Sequence, residues 1–212
     1  MTISSKYYDP LEEKWNVISH AIGLGLSFAA LTALVIYSSI YLSVWHIVSF
    51  SVYGLSLVIL YSASTFYHAS TKPKLRLKLN VFDHSSIYVL IAGTYTPFLL
   101  ITLRGPWGWS LFGVVWGIAL IGIIFKLFFT GKFDKISTFA YVLMGWIVMV
   151  AIYPLVQNLS LGGLLWLLIG GIFYTVGAVF YLLNRMKFNH FIFHIFVLLG
   201  SISHFVSVFF YV

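Results

Sequence analysis

Residues 190–211 read HFIFHIFVLLGSISHFVSVFFY, a run without Asp, Glu, Lys or Arg. Its length matches the roughly 20 apolar residues that a helix needs to cross a bilayer. Toward the N-terminus, charged or turn-rich gaps cut the chain into six more apolar segments of similar size. The expected spans are therefore about 17–41, 45–68, 83–103, 109–129, 136–156, 163–183 and 190–211. Of the 212 residues, 61% are hydrophobic, 19% aromatic and 8% charged, and the mean hydropathy is +1.00. Such a chain has too little polar surface to coat a soluble globule. The expected fold is an all-α integral membrane protein, a seven-transmembrane-helix bundle forming a single domain over 1–212, because no gap is long enough for a second one.

Orientation follows from the basic residues. Lys6 and Lys14 precede the first span; Lys72, Lys74, Arg76 and Lys78 follow the second; Lys126, Lys132 and Lys135 flank the gap after the fourth; Arg185 and Lys187 follow the sixth. Arg104 alone falls on the other side. The positive-inside rule then places the N-terminus in the cytoplasm and the C-terminus outside, with Trp45, Trp107 and Trp109 at the outer interface. The net charge of +7 reads as a topology signal reinforced by anionic lipids, so no nucleic-acid partner is expected. A cleaved signal peptide fits the first span poorly, since its apolar run is too long and Asp9, Glu12 and Glu13 precede it. The chain has no cysteine, which excludes disulfides and thiolate ligands and leaves imidazole, carboxylate and water for any metal. Glycines within the spans, such as Gly23 and Gly25, Gly113 and Gly117, or Gly170 and Gly171, are expected to allow close helix approach.

The same topology carries His68, Asp83, His84, His190 and His194 to one depth at the cytoplasmic side. His190 and His194 are four residues apart, so they share one helix face and can offer two imidazoles to one metal. Ser64 stands one turn deeper than His68. His46 falls at the opposite interface, and His204 lies about 15 Å beyond His194 along the helix. Each residue also has a plainer reading. A membrane histidine can hydrogen-bond a neighbouring helix, and Asp83 can serve as the N-cap of the third span. Ionisable groups in a bilayer are costly, however, and independent structural histidines have no reason to gather at one depth.

Three motifs in order, Ser64-Thr-Phe-Tyr-His68, Phe82-Asp83-His84 and His190-Phe-Ile-Phe-His194, with His204 ten residues on, resemble the signatures of the hemolysin III family. That family is the bacterial branch of the progestin and adipoQ receptor (PAQR) superfamily. Glu13-x-x-Asn16-x-x-Ser19-His20 resembles its N-terminal motif. The resemblance covers essentially the whole chain. It implies a multi-pass protein of the bacterial plasma membrane with a Zn2+ ion held by His68, His190 and His194. It also implies that Asp83 holds a water on the metal and that Ser64 lies close by. The long N-terminal region of the animal adiponectin receptors is lacking, so hormone recognition is not implied.

Three imidazoles leave a tetrahedral position open, as catalytic zinc sites do, and zinc lowers the pKa of bound water to about 7. Asp83 is the expected general base, and Ser64 the expected donor to a developing oxyanion. The expected substrate is a membrane lipid amide or ester entering from the inner leaflet, an arrangement that alkaline ceramidases resemble. Two other functions stay open: a regulator or sensor of membrane lipid state, and a pore-forming cytolysin, against which the spans lack a repeated polar stripe to line a channel.

Overall fold

The structure, a computed structural model, describes residues 7–183 and 185–212. Lys6 and Asn184, which belong to the orientation signal and to the link before the last span, lie outside the described residues. Seven helical spans follow one another, and no strand occurs among the described residues. They are α1 (Pro10–Tyr41), α2 (Val44–Ala69), α3 (Pro73–Pro97, continued by a π turn at Phe98–Thr102), α4 (Pro106–Phe129), a broken fifth span, α7 (Leu161–Leu182) and α8 (Asn189–Tyr211). The fifth span consists of α5 (Asp134–Gly145), a 3-10 segment (Ile147–Ala151) and α6 (Ile152–Asn158). Each full span is long and apolar enough to cross a membrane. Large apolar side chains such as Ile121, Phe128 and Tyr153 point outward, as a lipid-facing surface requires.

Two helices begin well before their apolar runs. Asp9 caps α1 by accepting a hydrogen bond from the Leu11 amide at 2.9 Å. Pro10 then occupies the first turn with Glu12 and Glu13, an arrangement that suits a helix N-terminus. Helix α3 starts at Pro73, so the basic stretch expected to be a loop forms its first turns instead. Asp83 therefore lies well inside α3 and is not its N-cap; Lys72 holds that position.

Helix α2 packs on α1 and α3, α8 packs on α1 and α7, and α5 packs on α7 and α3, which closes a ring; α4 lies against α3. The break in the fifth span frees backbone groups that lipid cannot satisfy. Tyr95 of α3 supplies the missing partners: its hydroxyl donates to Gly145 O at 2.7 Å and accepts from the Val148 amide at 2.9 Å. Of the glycines expected to admit close approach, Gly23 and Gly170 do so, whereas Gly25, Gly113 and Gly117 face open space. At one end of the bundle Trp45 and Trp109 meet edge to face at 5.9 Å, and the Arg104 guanidinium lies 4.4 Å from the Trp45 ring centre. The histidine motifs lie at the other end.

Candidate metal centre

The buried side of α1 is polar over its first half: Glu12, Asn16, Ser19, His20, Gly23 and Ser27 all turn inward. Helical spacing puts these residues on one stripe, and the stripe meets the histidines of α2 and α8. Ligand nitrogens of His68, His190 and His194 lie within 4.8 Å of one another, and all three residues are buried. His68 Nε2 and His190 Nε2 are 3.1 Å apart. Zinc–nitrogen bonds of about 2.0–2.1 Å place tetrahedral nitrogens roughly 3.4 Å apart, so the cluster has the right size for one ion.

The three Nδ1 atoms are all engaged by protein. His68 Nδ1 is 2.6 Å from Glu13 Oε2. His194 Nδ1 is 3.3 Å from the Asn16 carbonyl oxygen and 3.2 Å from Ser19 Oγ, which itself donates to Asn16 O at 3.0 Å. A carboxylate and a carbonyl only accept, so the Nδ1 of His68 and of His194 carries the ring proton and each Nε2 presents a lone pair. His190 Nδ1 faces the Tyr8 hydroxyl at 3.0 Å, and the two rings stack at 4.4 Å. Burial raises the pKa of the Tyr8 phenol, so it stays neutral. Its oxygen can therefore accept a hydrogen bond from the His190 Nδ1–H when that ring uses Nε2 as a ligand. Donor set, spacing and tautomers thus fit a metal ion held by three Nε2 atoms. The identity of the ion does not follow from these distances.

Adjacent acidic residues of α1 bring the ligand helices together. Glu12 Oε1 accepts from the His190 backbone amide at 3.0 Å, at the N-terminus of α8 where negative charge is favoured. Glu13 joins His68 to Arg76 through an ion pair. Arg76, expected in a loop, is buried. Its guanidinium donates to the carbonyls of Tyr67, His68 and Ser70 at 3.1, 3.3 and 3.1 Å, closing the C-terminal end of α2, and it lies between the rings of Tyr7 and Tyr67. The sequence reading assigned no role at the site to Glu12, Glu13, Tyr8, Ser19 or Arg76. The stripe Glu13-x-x-Asn16-x-x-Ser19 was the available signal. Carboxylates behind a metal-ligating imidazole fix its tautomer, and their loss typically weakens metal binding 10–100-fold. Glu13→Gln is expected to lower metal affinity by about that factor while the helices still form; titration with a competing chelator measures it.

Asp83 and Ser64 lie beside the cluster and outside it. Asp83 does not join the group of ligand atoms within 4.8 Å, and its carboxylate neighbours the Ser64 hydroxyl. Ser64 Oγ is also 2.7 Å from His20 Nδ1, and the His20 ring stacks on His194 at 3.5 Å. His84 sits 3.8 Å from Asp83 and bonds the Asn80 carbonyl through Nδ1. His20, Ser64, Asp83, His84, His190 and His194 form the polar end of a cavity of about 230 Å³. The rest of its wall is mostly apolar, with Leu90, Ile91, Leu103, Leu111, Leu155 and Leu164 lining it toward the opposite end of the bundle. His46 is at that opposite end, bonded to Ser43 and the Val212 carbonyl.

The family model for haemolysin-III-related proteins matches residues 8–205. Hemolysin-3 of Bacillus cereus is 51% identical over 201 residues, covering 95% of this chain and 92% of its own length. A hemolysin-3 homolog of Bacillus subtilis (strain 168) is 48% identical over 200 residues, covering 94% of each chain. The monocyte to macrophage differentiation factor of Homo sapiens is 26% identical over 170 residues, covering 77% of this chain and 70% of its own length.

Proposed function

The chain is a multi-pass membrane protein that belongs to the haemolysin-III-related family, and from that premise we propose that it is a zinc-dependent hydrolase of a membrane lipid amide or ester. The observation that carries this reading is a cluster of three buried imidazoles, two of which, His190 and His194, line the polar end of a mostly apolar cavity. His68, His190 and His194 would hold the ion. When bound, zinc supplies Lewis acidity and makes hydroxide available near neutral pH. Asp83 orients a water and takes its proton, then returns it to the leaving amine or alcohol as the acyl C–N or C–O bond breaks. Ser64 Oγ donates to the oxygen that gains charge as the acyl group is attacked, and its bond to His20 holds the hydroxyl in place. The apolar wall excludes water from the acyl chain and aligns the ester or amide with the histidines. In the orientation favoured by the basic residues, this end faces the inner leaflet of the bacterial plasma membrane, and the substrate enters from there.

The test is a screen of purified protein against lipid amides and esters, with release of fatty acid read by mass spectrometry. Release that disappears on chelation and returns with added zinc is expected. A folded, zinc-loaded protein that hydrolyses none of these lipids contradicts the reading. The name of the Bacillus cereus relative favours a second reading, cytolysis. Dye release from liposomes on addition of purified protein, regardless of zinc, is what that reading requires.

A further inference from the structure

Beside the cavity lies a second space, an open recess of about 460 Å³ between the turn that joins α4 to α5 and the C-terminal end of α7. Asp134 and Tyr181 line both the recess and the cavity, so the two spaces adjoin. The Tyr181 ring lies 5.7 Å from the His190 ring, which sets the recess one aromatic side chain away from the proposed metal centre.

The chemistry of the recess suits an anion. Lys132 and Lys135 line it, both are exposed, and neither forms an ion pair among the described residues. Asp134 is the only carboxylate in its wall, and that charge faces the buried Lys126 Nζ at 3.6 Å. Helix α5 begins in the same wall. Phe133, at its N-cap, supplies no side-chain hydrogen bond, so the first-turn amides of this 12-residue helix have no side-chain cap. Such amides favour negative charge and can donate to phosphate oxygens. Exposed Phe133, Ile136 and Leu182 give the recess an apolar rim. In the orientation favoured by the basic residues, this end of the bundle meets the cytoplasmic leaflet, which carries the anionic lipids.

We infer that the recess is a headgroup subsite, in which Lys132, Lys135 and the start of α5 bind the phosphate of an anionic phospholipid and hold its acyl ester beside the cavity. The inference rests on the proposed hydrolase reading for the use made of the bound lipid. Binding itself does not depend on turnover. The subsite narrows the substrate class to acyl esters whose head carries a net negative phosphate.

The experiment titrates detergent-purified protein with dioleoyl phosphatidylglycerol and with dioleoyl phosphatidylcholine, and bound lipid is measured by native mass spectrometry. Wild type is expected to bind phosphatidylglycerol about tenfold tighter. Lys132→Gln/Lys135→Gln should lose that preference. Lys72→Gln/Lys74→Gln, which removes the same charge from the start of α3, should keep it. Equal binding of the two lipids by wild type overturns the inference, as does a preference that survives in the first variant or vanishes in both. Displacement of phosphatidylglycerol by equimolar sn-glycerol 3-phosphate would assign the recess to a soluble phosphate ester and overturns the headgroup role. A preference that maps to Lys132 and Lys135 in a protein that hydrolyses no lipid supports the subsite and contradicts the hydrolase reading alone.

Discussion

Asp83→Asn is expected to keep its metal and lose about 10²–10⁴-fold in lipid hydrolysis, the range set by a missing general base. The asparagine amide has the shape of the carboxylate and can still hold a water, but it cannot take the water's proton. Metal should be retained because Asp83 lies outside the group of ligand atoms that gather within 4.8 Å. Turnover and metal content are therefore measured on the same preparation. Loss of the metal would make Asp83 a ligand, and unchanged turnover would remove it from the proton transfer. Ser64→Ala should also keep the metal while slowing hydrolysis, since it removes one donor to the acyl oxygen.

The second large effect concerns folding. Arg76→Met should destabilise the protein by about 3–5 kcal/mol, the cost of removing one partner from a buried ion pair. The substitution leaves the Glu13 carboxylate without its guanidinium and uncaps three carbonyls at the end of α2. Thermal unfolding in detergent, followed by far-UV circular dichroism, gives the direction directly. Adding Glu13→Gln to Arg76→Met should recover part of the loss, because the uncompensated charge is then gone. An Arg76→Met protein as stable as wild type would mean that the guanidinium contributes nothing beyond the topology signal read from the sequence.

Much of this arrangement was legible because two simple patterns operate over the whole chain. Apolar length gave the seven spans, and the alternation of direction between successive spans carried His68, Asp83, His190 and His194 to one end. Hydropathy failed where polar residues belong to a helix. The starts of α1 and α3 were placed late because the Asp9 cap at Pro10–Asn16 and the buried Arg76 and Asn80 contacts within Pro73–Phe82 stabilise turns that no apolar count registers. Arg76 reads as a loop cation in sequence because its burial depends on Glu13, which is 63 residues away. The break in the fifth span was invisible since its partner, Tyr95, sits on another helix.

The proposed metal centre consists of three buried imidazoles, His68, His190 and His194, whose ligand nitrogens gather within 4.8 Å. Elemental mass spectrometry of detergent-purified wild type and of His190→Ala/His194→Ala tests it most directly. About one zinc per chain in wild type, absent from the folded double variant, is the predicted result. Folded wild type that carries no metal, and takes none up from zinc-containing buffer, would contradict it.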